Sequence, residues 1–251
     1  MIASERRRFI LRSLSAKGVI SLKDVARELN VAEITIRRDL ELLEKDGKLK
    51  RVQGGATSPE DEPDGAELTM SKKLPEYMAE KQRLALYAVS LVRDGDCVFI
   101  DGGTTMLPLA LALCERNVTL VTYSTMLLQK AAKPAAKIIL IGGEYLPHYS
   151  MNVGPMAQEM LRQFYFDRAF FSCAGIDTAQ AIIYTTEHES MEMKRIAMGN
   201  ATESHLLIDH SKFQKRGFLK MCDAAGFTSI VTNDVPNGLT SLENIVNLMN
   251  Q

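Results

Sequence analysis

The chain has 251 residues, 46% hydrophobic and 24% charged, a balance that suits a globular protein and excludes a fibrous or low-complexity one. Its net charge of −1 hides an asymmetry: residues 1–57 hold 13 of the 30 Lys and Arg but 8 of the 31 Asp and Glu, so a basic front precedes an acidic body and a polyanion partner is expected for the front alone. No apolar run reaches the roughly 18 residues of a membrane span, and Cys97, Cys114, Cys173 and Cys222 lack C-x-x-C spacing and paired histidines, so no membrane partner, metal site, disulfide framework or cofactor is expected.

Residues 4–17 carry Phe9, Ile10, Leu11 and Leu14 on one side, which predicts an amphipathic helix whose Arg6, Arg7, Arg8 and Arg12 either touch phosphates or are solvated. The start has no secretory segment, and the expected location is the cytoplasm. Ser21 is a good N-cap for a second helix with Leu22, Val25, Ala26 and Leu29 inward. After a break at Asn30-Val31, a third helix is expected to turn Ile34, Ile36, Leu40 and Leu43 inward and Thr35, Arg37, Arg38 and Glu41 outward. Two helices over a short turn are how a helix-turn-helix offers its second helix to the DNA major groove. Lys48, Lys50 and Arg51, ahead of Gly54-Gly55, would form a basic two-stranded wing near the phosphates. Two prolines, a glycine and several acids then mark a linker after residue 57.

The remainder alternates helices with short apolar runs. Residues 76–92 have helical spacing, and Cys97–Ile100 is a continuous apolar run of the kind a strand buried on both faces shows. Asp101-Gly102-Gly103-Thr104-Thr105 follows, then an apolar helix from Met106. Further strands are expected over 118–122, 137–141, 167–172, 205–209 and 229–232, with helices over 125–132 and 242–250. This order predicts an open, largely parallel α/β sheet, whose ligands bind where loops leave the carboxyl ends of the strands. Two glycines and the N–H groups opening a helix suit a phosphate, with Thr104 and Thr105 adding donors. The loop is neither a Walker loop nor a dinucleotide fingerprint, and a plain structural turn is the competing reading. Asp209-His210-Ser211-Lys212-Phe213 places a carboxylate, a hydroxyl and an ammonium at another strand tip, where Lys212 would neutralise a phosphate and Asp209 hold a sugar hydroxyl or Lys212 itself.

Residues 6–56 resemble the N-terminal winged helix-turn-helix of the DeoR family of bacterial transcriptional regulators, through Thr35-Ile36-Arg37-Arg38-Asp39-Leu40, Leu43-Glu44 and Gly54-Gly55-Ala56. The family usually has Ser where this chain has Ala32, so a helix cap worth ~1 kcal/mol is expected to be missing. DGGTT at 101–105, GGE at 142–144 and DHSKF at 209–213 resemble the same family's C-terminal effector domain, whose implied fold is similar to ribose-5-phosphate isomerase. The resemblance implies three parts: a DNA-binding domain over 1–57, a linker over 58–75 and an effector-binding, oligomerising domain over 76–251. It implies a repressor of a carbohydrate operon, acting as a homo-oligomer on double-stranded operator DNA and controlled by a phosphorylated sugar. Thr35, Arg37, Arg38, Lys48, Lys50 and Arg51 would contact DNA. The candidate effector residues are Asp101, Gly102, Gly103, Thr104 and Thr105 in the first loop, Ser124, Gly142, Gly143, Glu144, Gly175, Asp209 and Lys212; Glu187, His188, Glu189 and Lys194, ahead of a helical run, are a further group of which one or more would face the ligand.

The competing reading is a sugar-phosphate isomerase with a DNA-binding tail. That chemistry needs a general base and an enediolate donor. The acidic loop and glycine run of those isomerases are largely replaced here by Ser172-Cys173-Ala174-Gly175-Ile176-Asp177 and Ala179-Gln180-Ala181-Ile182, so binding without turnover is expected. An RNA module would need exposed aromatics for base stacking, and residues 1–57 hold only Phe9.

Overall fold

The computed structural model describes residues 3–17, 19–52, 55–57, 70–128, 130–131, 134–213, 215–217, 219–235 and 242–250, and the chain divides into two units, 1–68 and 69–251. Gly54, the side chain of Lys50 and residues 58–69 lie outside the described residues.

In the N-terminal unit, α1 (Ala3–Lys17) leads to β1 (Val19–Ser21), α2 (Leu22–Glu28), α3 (Glu33–Lys45), β2 (Lys50–Val52) and β3 (Gly55–Thr57). Ser21 caps α2, its hydroxyl accepting from the Asp24 N–H at 3.4 Å. Asn30 turns the chain at φ +50°, a left-handed conformation that asparagine tolerates better than most residues. Ala32 then opens α3 with no side-chain cap, as the sequence predicts. Ile10, Leu14, Val25, Ile36, Leu40 and Leu43 share one core. Ile34 does not join it and is 53% exposed. At about 100° per residue, a position two before Ile36 falls on the opposite side of the helix. The wing has a third strand, in the order β1-β3-β2. Gly55 lets β3 close on β1: a Cβ there would lie 1.9 Å from the Ile20 carbonyl oxygen.

The C-terminal unit opens with α4 (Met70–Lys73), inside the stretch read as linker, and Met70 is buried in the main core. Next come α5 (Met78–Leu91), β4 (Cys97–Ile100), α6 (Met106–Leu113), β5 (Thr119–Thr122), β6 (Lys137–Leu140), β7 (Glu144–Leu146), β8 (Met151–Val153), α7 (Pro155–Arg162) and β9 (Phe166–Phe171). The rest is β10 (Gly175–Asp177), β11 (Ile182–Thr185), α8 (His188–Gly199), β12 (Ala201–Ile208), β13 (Leu219–Asp223), β14 (Ser229–Thr232) and β15 (Ile245–Asn247). Seven strands form one sheet in the order β15-β14-β12-β9-β4-β5-β6, every pair parallel. Apolar cores cover both faces, which is why the strands read as unbroken apolar runs.

Two expected helices are absent. Residues 125–128 form a bend and turns, because Thr125 is drawn away by its N–H and hydroxyl, which both donate to the Ser150 carbonyl, at 2.8 and 3.1 Å; Gln129 and Ala132 lie outside the described residues. In place of a helix over 242–250, Ile245 and Val246 extend the sheet as its edge strand and a short 3-10 turn ends at Asn250. Two β-branched residues in a three-residue element favour a strand. From β4 the chain winds outward through β5 and β6, then returns to lay β9 on the other side of β4 and winds away through β12, β14 and β15. The order therefore reverses between β4 and β9, which opens a crevice at their carboxyl ends.

Candidate functional site

On α3, Arg37 and Arg38 are exposed, form no ion pair among the described residues, and flank half-buried Thr35. The next residue, Asp39, is 3% exposed and accepts from two arginines of α1, Arg6 and, at 3.2 Å, Arg7. Those guanidiniums hold α1 against α3, so Arg6 and Arg7 are engaged within the unit. The wing cations are also engaged: Arg51 pairs with Glu41 and Glu44 at 2.8 Å each, and Lys48 with Asp46 at 3.5 Å. The Arg51 N–H and guanidinium together hold the Glu44 carboxyl below its ordinary value. Such exposed pairs are worth little and exchange readily for phosphate.

At the crevice, Asp101 follows β4 and is 1% exposed. Its Oδ1 accepts from the Tyr123 hydroxyl; Oδ2 accepts from the Ser172 N–H at 3.0 Å, the Ser172 hydroxyl, and Lys194 Nζ at 2.8 Å. Lys194 also donates to the Ser172 carbonyl at 2.7 Å. Burial alone would push the Asp101 carboxyl up; the Lys194 charge and these hydrogen bonds outweigh it and hold the carboxyl down. Burial and the adjacent Asp101 charge drive the Tyr123 hydroxyl well up. With every partner in place, this corner is a closed brace between β4, β5, β9 and α8. The glycines beside it are packed as well, since a Cβ on Gly103 would lie 1.9 Å from the Ser172 hydroxyl and one on Gly102 2.5 Å from the Met151 methyl.

A second corner gathers three lysines, Lys73, Lys81 and Lys212. Lys81 of α5 is 3% exposed, yet its ammonium donates only to the Lys73 carbonyl at 2.8 Å and to Thr104 Oγ1 at 3.2 Å, with no ion pair among the described residues. Burial lowers its pKa; the Asp209 charge opposes that shift and the Lys212 charge adds to it. Lys73 is lowered to about 8, by burial first and also by Lys212 and Lys81, against Glu187 and Glu76. Asp209 is buried and caps the turn at His210–Lys212, its Oδ1 accepting from the Ser211 N–H at 3.0 Å. Half-buried Lys212 makes no side-chain hydrogen bond or ion pair among the described residues. Cys173, pushed up to about 12 by burial despite the Lys212 and Lys194 charges, lies between the two corners as a neutral thiol. The N–H groups of Gly103, Thr104 and Thr105, opening α6, meet no acceptor among the described residues. A buried ammonium held only by neutral oxygens, N–H groups with no acceptor among the described residues and a hydroxyl, gathered at one sheet crevice, suit an oxyanion.

The other predicted residues are placed differently. Ser124 is buried after β5, its hydroxyl accepting from the Met126 N–H at 3.4 Å. Gly142, Gly143 and Glu144 are exposed where β6 runs into the β7–β8 hairpin, and Gly143 takes φ +149° against the Val153 carbonyl. Gly175 begins the small antiparallel sheet β10-β11-β13, pressed against the Lys215 backbone. Sequence reasoning missed Lys73, Lys81, Tyr123 and Ser172. Lys81 did leave a signal, since it takes the first place in the buried stripe Lys81, Leu84, Ala85, Ala88, where an apolar residue belongs. No helix is long and apolar enough to cross a membrane, among the described residues.

Family models match both units: a DeoR-like helix-turn-helix domain over residues 6–62 and a DeoR C terminal sensor domain over 76–234. The chain belongs to the DeoR family. The Lactose phosphotransferase system repressor of Staphylococcus aureus is 32% identical over 232 residues, 90% of each chain. That of Staphylococcus epidermidis is 30% identical over 239 residues, 94% of this chain and 93% of its own. An uncharacterized HTH-type transcriptional regulator of Bacillus subtilis, FruR, is 29% identical over 238 residues, 93% of this chain and 92% of its own. Ribose 5-phosphate isomerase A from Methanocaldococcus jannaschii aligns over 53% of each chain with a TM-score of 0.40 and 19% identity. This DeoR protein thus joins a DNA-binding helix-turn-helix to a sensor domain built on a parallel α/β sheet, and its family is one of transcriptional regulators, not of enzymes.

Proposed function

We propose that this DeoR protein represses a carbohydrate-utilisation operon and that a phosphorylated sugar, bound at the carboxyl ends of β4, β9 and β12, controls it. The observation that carries this reading is the buried Lys81 ammonium, which among the described residues is held only by two neutral oxygens, beside Lys212, which makes no side-chain hydrogen bond or ion pair there. The N–H groups of Gly103–Thr105 meet no acceptor among the described residues, and the Asp209 and Glu76 charges offset only part of the cost of burying Lys81. A phosphoryl group supplies a direct counter-charge and the acceptors; Asp209 stands near for a sugar hydroxyl. The names of the staphylococcal relatives agree with a sugar-linked repressor. On the other unit, Arg37 and Arg38 read base edges or phosphates, Thr35 supports them, and Lys48, Lys50 and Arg51 face the backbone. One such module makes few contacts, so the chain works as a homo-oligomer on paired half-sites.

Two measurements on the full-length protein test this. In thermal unfolding, sugar phosphates should raise the midpoint and their unphosphorylated forms should not, with Lys212→Ala removing the difference. A gel shift with the promoter DNA beside its own gene should then change when the stabilising sugar phosphate is added. Equal stabilisation by phosphorylated and plain sugars would remove the basis for an anion site.

A further inference from the structure

Lys81 reaches two places with one ammonium. Its bond to Thr104 Oγ1 ends in the loop that opens α6, and its bond to the Lys73 carbonyl ends on the last residue of α4. Other features also hold α4 in the sensor unit, among them the burial of Met70, the Met70 N–H reaching the His148 carbonyl at 3.5 Å, and the Glu187 and Glu76 charges beside Lys73. In the chain, α4 is the first element after residues 58–69, which connect the DNA-reading unit to the sensor unit.

The energetics tie these two ends together. A buried ammonium with no carboxylate at ion-pair distance among the described residues is disfavoured by desolvation; the Asp209 and Glu76 charges offset part of that, and Lys212 adds to it. An anion at the N–H groups of Gly103–Thr105 supplies the counter-charge, stabilises the ammonium, and strengthens both hydrogen bonds it donates. Whatever stabilises the Lys81–Lys73 bond stabilises docked α4. By reciprocity, docked α4 must strengthen anion binding by the same factor.

We infer that Lys81 is a positioning residue that couples occupancy of the anion site to the docking of α4, the segment through which the chain passes from its reader to its sensor. The inference rests on the anion-site reading above and adds the direction of the response: occupancy tightens α4.

Hydrogen exchange on the full-length protein, titrated with inorganic phosphate against chloride at matched ionic strength, tests the coupling. In the native protein, phosphate should protect amides 103–106 and, in parallel, slow exchange at 70–74 about fivefold or more. In Lys81→Met, which keeps the length and apolar packing of the side chain, phosphate concentrations that protect 103–106 should leave 70–74 unchanged. Met70→Ala loosens α4 without touching the anion site, and should raise the phosphate concentration needed to protect 103–106. Protection of the loop with no slowing at 70–74, or Met70→Ala binding phosphate like the native protein, overturns the coupling and leaves the site standing. No protection of 103–106 in the native protein removes the site, and the coupling with it.

Discussion

In the N-terminal unit the buried acid Asp39 is met by Arg6 and Arg7, and the cations left over, Arg37 and Arg38 among them, lie on the surface. In the C-terminal unit the buried acid Asp101 is likewise met, by Lys194, Ser172 and Tyr123, but the cations left over include Lys81, which is itself buried. The difference separates two kinds of reader. A surface arginine keeps its hydration until a long polyanion arrives, and its gain comes largely from releasing counterions. A buried ammonium has already lost its water, so a small anion that fits has little further desolvation to overcome at that point. This difference agrees with the proposed division of work, a duplex for one unit and a phosphoryl group for the other.

Breaking the paired charge should have the largest effect. Lys194→Met leaves Asp101 as a stranded buried carboxylate, and should destabilise the sensor unit by about 3–5 kcal/mol in denaturant unfolding. Adding Asp101→Asn to the same chain should restore part of that loss by removing the stranded charge. A Lys194→Met protein with native stability would move Lys194 from brace to ligand contact. Removing an unpaired surface cation should cost less and in another currency of measurement: Arg37→Ala or Arg38→Ala should weaken operator binding by roughly 1–3 kcal/mol in a gel shift. Thermal stabilisation by a sugar phosphate should be untouched in those variants. Losing both would mean that the two units do not divide the work.

A pH series sharpens the same contrast. Lys73 has a folded-state value of about 8, against roughly 10.4 for an unperturbed lysine. Below pH 8 it is protonated in both the folded and unfolded states, and the protein carries the full penalty of holding it charged. Between about 8 and 10.4 the unfolded chain binds the extra proton, so this group's contribution to stability rises with pH. Anion binding runs the other way. A phosphate monoester is already a dianion above its second pKa near 6, so the stabilisation it confers should shrink as pH passes 8 and Lys73 loses its charge. Titration calorimetry at pH 8 in buffers of different ionisation enthalpy should register proton uptake on binding. DNA binding through Arg37 and Arg38 should show no such step, because arginine stays charged throughout.

Much of this architecture was legible because each element carries its own local signal. The buried parallel strands stand out as apolar runs between turn residues, and Ser21, Asn30 and the TIRRDL run mark the helix-turn-helix. The turns at 125–128 were not legible, since only Ser150, distant in sequence, diverts Thr125 from a helix. The edge strand Ile245–Asn247 was hidden by its three-residue length, too short to show a period. At the crevice, Asp101 and Lys212 stand out in the sequence by strand-end position, whereas Lys81 and Lys73 come from helices that reach it only through tertiary packing. The glycines of the 101–105 loop drew attention as a phosphate cradle; the space over Gly102 and Gly103 is filled by Met151 and Ser172, so their small size serves packing.

The smallest effect concerns Ala32, which opens α3 with extended backbone at φ −63° and ψ 141° and no side chain able to accept from the first turn. Glu33 sits in that turn, where its charge offsets part of the helix dipole. Ala32→Ser adds the missing acceptor without changing Arg37 or Arg38, and should stabilise the helix by ~1 kcal/mol. Amide exchange within residues 33–45 should slow about fivefold, as that energy implies, while exchange around Asp101 and Lys81 stays as it was. Because the substitution stiffens the reading helix without adding a contact, any gain in operator affinity reports how much of α3 is ordered only on binding. A gain of zero means that Asp39, held by Arg6 and Arg7, already fixes that helix in the free protein.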